Sequence, residues 1–125
     1  MSAVVDIALA VVRGRALIAA GRDREAVAVA MHVLAVSPDD AELLDLLASA
    51  YLEVDDEAAL EAAERLLVVS PDGYRGHALA STACDNIGRK DDAERHAHAA
   101  IEAAPWLPLP YILLSNAIVG RTGRR

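Results

Sequence analysis

Apolar residues recur every three to four positions in seven runs, and each run stops at a residue that does not continue a helix. The first spans about Val4 to Ala20 and stops at Gly21, a residue suited to the left-handed turn beyond a helix end. The second, about Arg24 to Val36, stops before Ser37-Pro38, because proline pushes the preceding residue out of the helical region. Asp39 and Asp40 are expected to cap a third helix, about Ala41 to Val54, by accepting its free backbone N–H groups. A fourth, about Glu57 to Val69, ends at Ser70-Pro71. Asp72 is expected to cap a fifth, about Tyr74 to Ile87, which Gly88 ends. The sixth opens at Asp91 or Asp92 and runs to Ala104, before Pro105. After the stiff connector Trp106 to Pro110, a last helix covers about Pro110 to Val119.

The pattern is periodic on a larger scale. Pro38, Pro71 and Pro105 follow one another after 33 and then 34 residues, each closing a helix–turn–helix stretch. A helical unit of this length cannot bury its apolar face alone, so the period implies stacked hairpins that cover one another. The connectors are short, which makes successive helices antiparallel neighbours. The expected organisation is a single all-α domain over residues 1–125. Its units cover about 7–40, 41–73 and 74–107, followed by a final helix at about 110–119 and a tail at 120–125.

Composition agrees with helices that approach closely: 54% of residues are hydrophobic, mostly Ala, Leu and Val, and there is no Phe. The lone cysteine, Cys84, excludes an internal disulfide and a Cys-rich metal site, and fits a reducing, cytoplasmic setting. The apolar start lacks a basic leader and is interrupted by Asp6, Arg13 and Arg15, so neither a signal peptide nor a membrane span is expected. The formal charge is −7. Ten Asp or Glu residues and no Lys or Arg lie between Asp39 and Glu64, whereas the end of the chain carries Arg121, Arg124 and Arg125. Phosphate binding needs a basic stripe, so nucleic acid is not an expected partner.

The residues at these positions resemble the tetratricopeptide repeat, whose pattern of about 34 residues runs W-x2-L-G-x2-Y, A-x3-F, P. The unit from Tyr74 to Pro105 fits without a gap: His77, Ala80, Ser81 and Cys84 on its first helix, Gly88 at the turn, Ala93, Ala97 and Ala100 on its second. The middle unit offers Leu44, Leu47, Ala48 and Tyr51, then Ala59, Ala63 and Leu66, one residue short near Asp55. The first offers Ala10, Gly14 and Leu17, then Ala26, Ala30 and Val33. Tyr111, Leu114, Ser115 and Ile118 match the first helix of a fourth unit. The aromatic first position is absent from every complete unit, and Arg13 stands where Leu is usual. The resemblance implies a right-handed superhelical α-solenoid acting as a protein-interaction scaffold rather than an enzyme.

In proteins of this kind the first helices line a concave groove. Carried onto this chain, the groove positions are Ala8, Val11, Arg15 and Ile18; Glu42, Asp45, Ser49 and Leu52; Arg75, Ala78, Thr82 and Asp85; and Leu109, Ile112, Asn116 and Val119. The best-known member type grips a C-terminal carboxylate with Lys, Arg and Asn. Here Glu42 and Asp45 lie between Arg15 and Arg75 and would repel it, so the expected ligand is a peptide or protein segment with apolar and basic residues. Two alternatives stand beside this: self-association as a homodimer, and a regulatory domain of a longer protein. The apolar outer positions Ile112, Leu113 and Val119 fit either a covered end or a chain cut from a longer array.

No cofactor or metal is expected. His96 and His98, two apart on a helix, point to different sides and are expected on solvated surface; His77 is expected to be a half-buried packing residue and His32 to sit on an outer face. Cys84 is expected to be an inert member of the packing set. The pairs Asp39-Asp40, Asp55-Asp56 and Asp91-Asp92 are read as caps, and there is no phosphate-binding glycine loop or nucleophile elbow.

Overall fold

A computed structural model describes the backbone of residues 3–121 and the side chains of residues 7–119. The basic tail with Arg124 and Arg125 lies outside the described residues. Seven helices follow in order: α1 (Ala3–Ala19), α2 (Asp23–Leu34), α3 (Ala41–Tyr51), α4 (Asp56–Val69), α5 (Tyr74–Ile87), α6 (Lys90–Ala103) and α7 (Leu109–Arg121), with no strand among the described residues. They form three antiparallel hairpins plus one further helix in an α-solenoid. Each helix packs on the next, the first helices α1, α3, α5 and α7 also touch in succession, and α2, α4 and α6 do not touch one another.

The helix ends follow from local chemistry. Gly21 and Gly88 both adopt positive φ, 78° and 100°, the conformation a side chain resists. Asp40 accepts from the Leu43 amide at 3.0 Å and Asp55 from the Ala58 amide at 3.2 Å, capping α3 and α4. Two expected caps are corrected. The residue before α5 is Gly73, with no side-chain cap, so Asp72 does not cap it. Asp91 and Asp92 lie inside the first turn of α6, where Asp92 accepts from Arg89 and Arg95 rather than from backbone. Helix α3 ends at Tyr51, three residues before the expected Val54, because the Val54 and Asp55 amides both turn back to the Tyr51 carbonyl at 2.8 and 2.7 Å.

Packing rests on small residues at the crossings. Ala26, Ala30, Ala59, Ala63, Ala93 and Ala97 are all buried on the second helices, and Ala48 and Ser81 face them from the first helices. The Ser81 hydroxyl donates to the Ala93 carbonyl at 2.8 Å, satisfying a buried polar group across the α5/α6 hairpin. Leucines 43, 44 and 46 of α3 fill the space around these contacts. Gly14 lets α1 approach α3 so closely that a Cβ would overlap the Leu46 side chain, itself fully buried and unable to swing away. Gly14→Val should therefore lower stability by about 1–3 kcal/mol through overpacking. A thermal melt followed by circular dichroism should show a loss of several degrees, and an unchanged midpoint would mean α1 is not held at that distance.

Candidate functional site

Where α1, α3 and α5 meet, a cleft of about 280 Å³ opens between the first helices, lined by Arg15, Glu42, Asp45, Tyr74 and Arg75 with Leu66 and Gly76 beside them. Helical spacing sets the polar side chains of α3: Glu42 and Asp45 stand three apart and Ser49 four further on, so they follow one face. Arg75 belongs to the first turn of α5. Its Nε donates to Asp45 Oδ2 and its Nη2 to Asp45 Oδ1, both at 2.8 Å, a two-pronged ion pair between helices thirty residues apart in sequence. The Asp45 side chain is only 14% exposed, and the Ser49 hydroxyl adds a weak donor at 3.4 Å. The hydrogen bond to Asp45 raises the Arg75 pKa, which keeps the guanidinium charged. Close approach of α4 to α5 beside the cleft depends on Gly76, where a Cβ would stand 2.8 Å from Leu67 Cδ2.

This pairing engages one of the two acids expected in the middle of the groove. The Asp45 charge is matched by Arg75, so the groove presents Glu42 and Arg15, neither of them in an ion pair among the described residues. The other groove positions differ in accessibility from one another. Val11 is a correction: at 6% exposure it belongs to the core, as does Ala78 at 3%. Ile18 and Leu52 are half-buried against the core and leave apolar edges open. Thr82 spends its hydroxyl on the Ala78 carbonyl, and Asp85 is paired with Lys90 of the following turn. Ile112 and Asn116 are exposed on α7, outside the cleft. The structure thus brings Arg15, Glu42, Asp45 and Arg75 together and leaves Thr82, Asp85, Ile112 and Asn116 elsewhere on the stack.

The histidines separate as the helical spacing requires, but His96 is not solvated. It is 8% exposed, packed against His77 of α5 with Nδ1 atoms 3.1 Å apart and rings 5.3 Å between centroids. One imidazole must donate and the other accept, so the contact is lost if both rings are protonated. Burial, then Arg95 and His77, push the His96 pKa down to about 4, and burial with Arg95 also lowers that of His77. His98 and His32 are exposed. Cys84 is buried, and desolvation raises its thiol pKa, the opposite of an activated nucleophile. Among the described residues no three His, Cys, Asp or Glu side chains gather as metal ligands, and no helix is long and apolar enough to cross a membrane.

Two features escaped the sequence reading. A cleft of about 510 Å³ lies on the outer side of α1 and α2, lined by Leu9, Arg13, Val29, His32, Val33 and Val36. Its signal was present in the repeat register, because Leu9 and Val12 occupy the positions of Leu43 and Leu46 in the next unit and yet are exposed where those leucines are buried. Trp106 is 75% exposed in the turn before α7.

No protein-family model matches the sequence, and no curated protein matches it. Solved structures do. The second TPR domain of human RPAP3, in complex with the HSP70 peptide SGPTIEEVD, superposes with a TM-score of 0.87 at 18% identity, covering 94% of this chain and 98% of that one. The Sgt2 TPR domain of Aspergillus fumigatus gives 0.85 at 21% identity over 90% of this chain and 77% of that one. An O-GlcNAc transferase variant of Thermobaculum terrenum gives 0.88 at 18% identity, covering 94% of this chain and 23% of the enzyme. The chain has the tetratricopeptide-type helical-repeat fold that its residues resemble.

Two measurements probe the site's electrostatics. A double-mutant cycle with Asp45→Asn and Arg75→Gln should return a coupling of about 0.5–1.5 kcal/mol in urea unfolding, shrinking in high salt; no coupling would contradict the bidentate pair. The histidine pair sets a pH window. The unfolded imidazole titrates near 6.5 and folded His96 at about 4, so the unfolded chain binds the proton first. Stability is complete above the unfolded value and falls as pH drops from about 6.5 toward 4, by on the order of 3 kcal/mol. His96→Leu should flatten that part of the pH profile, and a profile identical to wild type would remove the pair from the account.

Proposed function

We propose that the chain is a protein-interaction module that holds an extended or helical segment of another protein in the cleft between α1, α3 and α5, without performing chemistry on it. The observation that carries this reading is the arrangement of charge there. Asp45 and Arg75 neutralise each other and brace the wall, while Arg15 and Glu42 remain exposed to an incoming segment. Backbone geometry at the wall is thereby held before binding, which lowers the ordering cost of association.

The likeness to a domain in complex with a peptide supports segment binding in general terms. The peptide named for human RPAP3, SGPTIEEVD, carries three acids and no base. In this cleft Arg75 is already engaged by Asp45, and Glu42 repels a carboxylate. We therefore assign the opposite preference: a basic side chain facing Glu42, with apolar residues against the half-buried edges of Ile18 and Leu52.

Fluorescence anisotropy with labelled peptides tests this directly. A peptide alternating apolar and basic residues should bind more tightly than SGPTIEEVD at low salt. Glu42→Lys, which leaves the Asp45–Arg75 pair intact, should weaken it about 3–10-fold and reverse the salt dependence. Tighter binding of the acidic peptide, or no response to Glu42→Lys, would overturn the assignment.

A further inference from the structure

Each first helix in the interior of the stack is covered by the helix that follows it in its own hairpin. On α5 the covered positions are visible atom by atom: His77 meets His96, Ser81 donates to Ala93, both of α6, and Cys84 one turn on is buried. Thirty-four residues later the same positions of α7 are Tyr111, Ser115 and Ile118. None of them is covered: Tyr111 is 48% exposed, Ile118 is 38% exposed, and Ser115 is exposed between them. Ile112, 54% exposed, widens the strip, and the Tyr111 hydroxyl, donating to the Pro105 carbonyl at 2.9 Å, ties it to exposed Trp106. The opposite face of α7, through Pro110 and Ala117, is buried on the stack.

The register also says what kind of element belongs there: an antiparallel helix of about this length. Helices α2, α4 and α6 have 12, 14 and 14 residues, and α7 itself has 13. Charge selects among occupants. From residue 103 to residue 119 there is no Asp, Glu, Lys or Arg, in a chain that is 25% charged and carries a formal −7. Two identical chains repel through most of their surfaces, and this strip is where they meet without like charges opposed.

We propose that α7 pairs antiparallel with α7 of a second copy, each covering the apolar strip that the other exposes. A two-fold axis perpendicular to the helix makes the two copies antiparallel automatically, the same sense in which α6 runs against α5. With the axis at Ser115, Ile112 of each chain comes level with Ile118 of the other, since both lie three residues from the axis. Ser115 then takes the place that Gly14, Ala48 and Ser81 hold in the hairpins, a small residue where backbones approach. Tyr111 and Trp106 supply aromatic anchors at the two ends of the contact. This surface is separate from the α1/α3/α5 cleft, so the dimer stands or falls independently of peptide binding.

Size-exclusion chromatography with light scattering on the full chain should give a concentration-dependent dimer dissociating at about 10–100 µM, as suits a contact of one helix pair. Ile118→Glu should return the monomer with an unchanged far-UV spectrum, because the residue is exposed in a single chain. Ser115→Cys should form a disulfide-linked dimer with oxidised glutathione, Cys84 being buried. A wild type that stays monomeric at several hundred micromolar overturns the proposal. So does a dimer that survives Ile118→Glu, one that is abolished by Leu9→Glu at the other end, or one in which Ser115→Cys fails to cross-link.

Discussion

The contact on which the structure depends is the close seating of each first helix between two second helices, its own hairpin partner and that of the unit before. It is made possible by alanine. Ala26, Ala30, Ala59, Ala63, Ala93 and Ala97 have essentially no exposed surface, and opposite them stand Ala48 and Ser81 or large side chains that fill the gaps. Such contacts give little apolar area each, and their strength comes from dispersion across tightly matched surfaces. With so little side chain at the crossings, the distance between helices is set by backbone. A single methyl group in the wrong place is felt.

That seating has a consequence for the binding face. Because α1, α3 and α5 are pressed together, a residue of one first helix can reach across to the next. Asp45 and Arg75 meet in this way, bracing the cleft while removing two charges from what an incoming segment senses. Remaining specificity falls to Arg15, Glu42 and the apolar edges. At the ends of the stack the same logic runs out. Among the described residues Leu9 and Val12 of α1 and Tyr111 and Ile118 of α7 are exposed, apolar strips at positions that interior helices bury. Their chemistry differs, since the first cleft includes Arg13 and His32 and the last helix carries no charge through residue 119.

Much of the fold was legible in the chain because its punctuation is local. Gly21, Gly88, Asp40 and Asp55 act on backbone within one turn, and their roles follow from residue type and position. The helix at Tyr74–Ile87 is bounded as its glycines and apolar period require. Misreadings arose where a side chain chose between backbone and a distant partner. Asp92 had two arginines within reach and took them in preference to capping. Asp45 and Arg75 both sat on the face that helical periodicity assigns to the groove, but periodicity does not say whether two such residues neutralise each other. His96 looked solvated on its own helix and is buried in the stack, where His77 of α5 lies against it. Val11 fell on the groove stripe by spacing and lies in the core once the helices pack.

Native-state hydrogen exchange, read amide by amide at a protein concentration low enough to keep chains apart, tests the dependence of this stack on two-sided coverage most directly. Protection should be highest through α3 to α6, where first helices are covered on both sides, lower in α1 and lowest in α7. Equal protection of α7 and α5 in the single chain, or weaker protection of α3 than of α1, would contradict the account.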